Sequence, residues 1–320
     1  MKVVFTIALF ISSLVSYCQI YNFSPNWKVG DSKKISITQA ESEFENGKLI
    51  ASTNTNNEAE IKVLKVTADS YLVEITMENQ AMIAAASFYE KLGEELKEYR
   101  DLRLLYQVNR STAKAELQNW EEVKEFIDKS FEQITSLLEE KVPDEAFFVG
   151  LVFMPIKEIF KSKENVEAYV QESIGFLLSP FNKDFKLGET LTVVEISNNP
   201  FKPTEKIEVT NLFTLESVDT QSKVCTINHE TKIDLSKFIE MMRSMMMKMA
   251  ESMGVDEEDT AKKTQELDEF NLDMKSNQVI TFDYNSTWVT KVVTTGIVTG
   301  SDPIMKVESR REVITTTEVR

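Results

Sequence analysis

The chain is poor in the residues from which most catalytic and metal centres are made. Among its 320 residues there is one histidine, His229, and there are two cysteines, Cys18 and Cys225. A site built on several histidines is therefore excluded, and a Ser–His–Asp triad would have to use His229. That residue, in Ile227-Asn228-His229-Glu230, falls where a strand gives way to a helix capped by Asp234, so a surface or strand-end role is expected. Cys225 reads as a small buried hydrophobe in a strand. Nine glycines form no GxGxxG, Walker or GxSxG pattern, which leaves no phosphate cradle and no nucleophile elbow. Trp27, Trp120 and Trp288 are scattered, against the aromatic platforms that a sugar-cleaving cleft needs. Lysine and arginine number 36 against 52 acidic residues, a net charge of -16, which argues against nucleic acid and anionic membrane surfaces. The expectation is a protein that is no enzyme and carries no metal or cofactor. A carboxylate-dependent hydrolase is the least favoured reading.

What is present begins with a leader. Lys2 supplies a positive start, Val3 to Val15 an apolar stretch, and Ser16-Tyr17-Cys18 a small-x-small site before Gln19, the three parts of a secretory signal. The stretch is shorter than the ~20 residues of a membrane crossing, and no later stretch reads as a span. Cleavage after Cys18 is expected, with lipidation at Cys18 as the alternative. With Cys18 removed, Cys225 has no disulfide partner.

Residues 19–178 and 183–320 read as two sheet-plus-helix halves, either separate or fused into one continuous globular unit. Trp27-Lys28-Val29-Gly30-Asp31-Ser32 opens the first and Phe185-Lys186-Leu187-Gly188-Glu189-Thr190 the second. In each, glycine suits a turn with positive φ and the residues after it suit a strand. The strands are Lys34 to Thr38 and Leu191 to Ile196. Hairpins follow: Ala59 to Thr67 with Tyr71 to Met77, and Lys206 to Ser217 with Lys223 to His229. A helix is then expected from Asn79 to about Arg100 in one half and from Leu235 to Met253 in the other. Strands resume at Leu104 to Val108 and at Val279 to Tyr284, giving one order of elements twice.

The middle is helical. Asn119 suits an N-cap with Glu122 as its capping-box partner, and Val123, Phe126, Ile127, Ile134, Leu137 and Leu138 share an apolar face. A helix starting near Pro143 should end or kink at Pro155, and Ser162 suits the cap of another. Ser179-Pro180-Phe181-Asn182 links the halves. From Val279 to Val319 the chain alternates in a meander of antiparallel strands, with turns expected at Asn285-Ser286, Gly296 and Gly300-Ser301-Asp302-Pro303. The predicted fold class is α+β: two similar halves, each a curved antiparallel sheet packed against long helices. This arrangement resembles the half-barrel-plus-helix lipoprotein carriers of bacterial envelopes. The Trp27 to Asp31 opening, the Asn119 helix start and the Val279 to Ile314 meander also resemble a family of exported Bacteroidota proteins. That resemblance implies fold and compartment, the periplasm or outer surface of a Gram-negative bacterium, and implies no active residues.

The conspicuous local feature is a run of methionines. On a helix, Phe238, Met242, Met245, Met246, Met249 and Met253 fall at i, i+3, i+4, i+7 spacing and share one face. Core packing, an adaptable apolar groove and Cu(I) binding through thioethers all fit such a face. Asp256-Glu257-Glu258-Asp259 lacks the alternation of a calcium loop and reads as a solvated run. Two functions stay open: an envelope protein binding an apolar or lipid-like ligand between sheet and helices, and a structural protein with a filled core that engages an envelope partner.

Overall fold

The computed structural model describes residues 19–78, 99–141, 162–198, 206–233, 271–302 and 307–320. In chain order these form β1 (Ile20–Asn22), β2 (Ser32–Glu45), β3 (Lys48–Val66), β4 (Ser70–Glu78), β5 (Asp101–Asn109) and β6 (Ala115–Leu117). Helices α1 (Trp120–Lys141), α2 (Lys163–Val170) and α3 (Glu172–Leu178) follow. The second part holds β7 (Asp184–Lys186), β8 (Thr190–Asn198), β9 (Lys206–Asp219), β10 (Val224–Ile233), β11 (Asn271–Asp283), β12 (Trp288–Asp302) and β13 (Val307–Val319).

The predicted α+β class is overturned. The described residues are mostly strand, and all strands but β1 and β7 join one antiparallel sheet ordered β6-β5-β4-β3-β2-β13-β12-β11-β10-β9-β8. Two separate sheets do not form, because β13 pairs with β2 from Ile35↔Val319 to Glu45↔Ser309. Polar sequence also turns out to be strand. Gln39 to Glu58, rich in Glu, Asn, Ser and Thr, extends β2 and β3 well past the expected strands. Gly296 and Gly300 are not turns; they pair within β12 against Val313 and Ser309. The expected helices at Asn79 to Arg100 and Leu235 to Met253 lie outside the described residues, apart from Tyr99 and Arg100, which precede β5. The helix expected near Pro143 lies outside them too.

The two opening motifs form matching turns. Gly30 and Gly188 sit at φ of 89° and 76°, where a side chain is strained. The Gly30 amide donates to Val63 O and the Gly188 amide to Leu215 O, each at 2.9 Å, tying each turn to the next hairpin. Trp27 and Phe185, at the head of each motif, are buried.

One face of the sheet carries the core. Tyr71, Val73 and Ile75 on β4, Leu102, Leu104, Tyr106 and Val108 on β5, and Ile227 and Ile280 on β10 and β11 are all buried. Period-two alternation sends Arg103 and Glu74 to the other face, where they pair at 2.5 Å. Helix α1 buries Val123, Ile127, Ile134 and Leu137 as its spacing predicts, together with Phe131. Ser162 caps α2 by accepting from the Asn165 amide. The Tyr106 hydroxyl donates to Val170 O at 2.7 Å and fixes α2 against β5. At one end of the sheet an aromatic plug fills the space between the strands. Trp27 stacks on Trp288 at 4.9 Å, and Tyr71, Phe181, Phe23 and Phe282 pack around them.

Candidate ligand cavity

Beyond the plug the strands surround a cavity of about 840 Å³. Its lining comes from β2 to β5, β8 to β13 and the three helices. Strands spaced about 4.8 Å apart would spread such residues over some 40 Å if the sheet were flat, so the sheet must curl around the space. The helices close one side of it.

The wall on β2, β4, β5 and α1 is mostly apolar, with Ile37, Ile75, Met77, Leu102, Ile127 and Phe131 beside Glu78 and Ser130. The wall on β9 to β13 is polar, and its residues arise from register. His229 faces Gln278, Gln278 faces Thr294, and Thr294 faces Thr315, so four neighbouring strands put one polar residue each in a single row. Asn211, Ser276 and Thr317 flank the row. One layer nearer the plug, β10 to β12 carry Ile227, Ile280 and Val292, while β13 carries Thr317. The inward face thus changes from apolar to polar along its length.

His229 is placed differently from its expected surface position. It is largely enclosed on the inward face, stacked on the Phe213 ring at 4.2 Å. Its Nδ1 lies 3.0 Å from Gln278 Oε1 and its Nε2 2.9 Å from Asn211 Oδ1. Burial is the main cause holding its pKa below the ordinary value. Lys183 acts in the same sense, while the Gln278 bond and Glu195 oppose it. Asn211 is itself committed: its oxygen also accepts from the Thr231 hydroxyl, and its nitrogen donates to Glu195. Lys183 spends its ammonium on Ser179 O and the Phe213 ring, and burial lowers its pKa. Cys225 is buried in β10 as expected, its thiol pushed up to about 12 by desolvation.

The site residues expected from sequence, Phe238, Met242, Met245, Met246, Met249 and Met253, lie outside the described residues. The row on β10 to β13 was missed. Its strands were recognisable, but the row starts from the pairing of His229 with Gln278, 49 residues apart, whose register no tight turn sets.

No family model matches the chain, and no curated protein matches it. Three solved structures are similar to it at low scores. A Bacteroides fragilis protein with a YmcC-like fold is 8 % identical, with a TM-score of 0.26, over 91 % of this chain and 97 % of that one. Ail, the attachment invasion locus protein of Yersinia pestis, is 5 % identical, with a TM-score of 0.15, over 92 % and 100 %. An outer membrane channel from Pseudomonas putida F1 is 8 % identical, with a TM-score of 0.17, over 93 % and 98 %. At such scores the likeness carries no argument.

Proposed function

We propose that this chain is a non-enzymatic protein of the bacterial envelope that holds an apolar or lipid-like ligand between sheet and helices. The observation that carries the reading is the cavity of about 840 Å³, whose wall on β2, β4, β5 and α1 is mostly apolar. Small-molecule sites are typically concave, largely apolar spaces of about 300–1,000 Å³. Each methylene moved from water to such a wall contributes about 0.8 kcal/mol, so a medium-length acyl chain would be held without any charged contact. Among the described residues no side chain fills this space, as a solid core would require. The leader from Met1 to Cys18 supports the envelope assignment. His229 supports the non-enzymatic part, because both of its ring nitrogens are engaged by carboxamides.

Gly175 supplies the test. It lies on α3, lines the cavity, and a Cβ added there would meet nothing within 4 Å. Gly175→Leu should fill space without a clash, and it replaces a poor helix former with a good one. The wild-type protein should take up a fluorescent fatty-acid probe, and Gly175→Leu should reduce that affinity about tenfold or more while keeping the same melting temperature or raising it. Equal uptake by the two proteins, or none by either, would refute the proposal.

A further inference from the structure

We infer that the ligand carries a neutral, hydroxyl-bearing head group, of the glycerol-ester kind, which is read by the polar row on β10 to β13. The inference rests on the cavity reading above and adds the chemistry of the ligand's polar end.

The row holds hydrogen-bonding groups that the protein leaves unused. A neutral imidazole has one donor and one acceptor. Whichever end of the Gln278 carboxamide meets His229 Nδ1, the other end has no partner among the described residues. Within the same set, the side-chain hydroxyls of Thr294 and Thr315 have no hydrogen-bond partner, although both line the cavity. Polar groups on an inward face cost free energy unless they are paired, and here they line a space large enough for a ligand. A hydroxyl both donates and accepts, so it can meet an amide nitrogen, an amide oxygen or a threonine hydroxyl in turn. Asn211, bonded to His229, Thr231 and Glu195, holds the end of the row in place.

Charge argues against an anionic head. The charged residues that line the cavity among those described are Glu78, which Arg100 neutralises, and Glu195. Lys183, the nearby cation, is spent on Ser179 O and the Phe213 ring. A carboxylate or phosphate placed against the row would meet Glu195, and it would have to compete with Glu195, Ser179 O and the Phe213 ring for the Lys183 ammonium. An uncharged head meets no such repulsion.

Calorimetry with three probes sharing a twelve-carbon chain tests this, each below its aggregation concentration: 1-monolauroylglycerol, laurate and dodecyl phosphate at pH 8. The glycerol ester should bind about tenfold or more tightly than either anion, because a site built to bond a hydroxyl discriminates against ligands lacking it. Gln278→Met combined with Thr294→Val should erase that preference by lowering the ester's affinity relative to that of laurate. Thr294→Val alone, which is isosteric, should reduce the preference in part and serves if the double variant fails to fold. An anion binding as tightly as the ester, or a preference unchanged in folded variants, overturns the head-group assignment and leaves the cavity reading intact. No binding by any of the three probes overturns both.

Discussion

Asn119 stands immediately before α1, where its spacing to Glu122 predicts a helix cap; its carboxamide does meet the Glu122 carboxylate, at 3.4 Å, but its shorter bonds run elsewhere. Its oxygen accepts from the Leu105 amide at 2.9 Å and its nitrogen donates to Arg103 O at 3.0 Å. The side chain thus continues along β5 the ladder that β6 and Gln118 begin, as another peptide unit would. The position was legible because local spacing marks helix starts. The β5 partners were not, because they lie on another strand. Asn119→Asp keeps the shape but replaces the donor with an oxygen facing a carbonyl. It should cost about 1–3 kcal/mol, the penalty for an unpaired buried polar group, and urea unfolding would measure it. His229 follows the same logic. Sequence located it in a hairpin, while its enclosure comes from Phe213 and Gln278 on the two flanking strands.

Elements were most legible where turn chemistry is explicit. Asp219 accepts from the amides of Gln221 and Ser222, and Asp283 from those of Asn285 and Ser286. Both turns fall at expected positions. Asn109 builds a third turn of this kind with Ser111 and Thr112, which the sequence signals equally well. Strand length was less legible. Asn46-Gly47, at φ of 49° and 77°, makes a two-residue hairpin, but the strands beside it lack the apolar alternation that marks a strand in sequence. The Gly30 and Gly188 turns give a clean test, since an added Cβ meets nothing within 4 Å at either site and only backbone strain remains. Gly30→Ala and Gly188→Ala should each lower stability by about 1–2 kcal/mol in urea unfolding. A change below about 0.3 kcal/mol at either site would show that its turn relaxes freely.

The whole molecule was the least legible scale. A repeated order of strand, hairpin and strand suggests two bodies, and nothing local says that the last strand lies beside β2. That pairing makes one sheet, and the sheet's curl makes the cavity. Ending the chain at Asp302 removes β13 and with it Thr315, Thr317 and the partner of both β2 and β12. The expected result is loss of a single cooperative urea transition, together with self-association through the two newly bare edges, read by sedimentation. A monomer with one sharp transition would contradict this account of the seam.

The seam also sets an order of assembly. Most pairings in the sheet join strands adjacent in sequence and can form early, as hairpins do within microseconds. The β2–β13 pairing must wait until the last strand has emerged, and such distant contacts are slow to form. Until then the sheet is two unjoined ribbons, β2 to β6 and β8 to β12. A fold closed by one distant pairing should therefore show that pairing as its slowest refolding step.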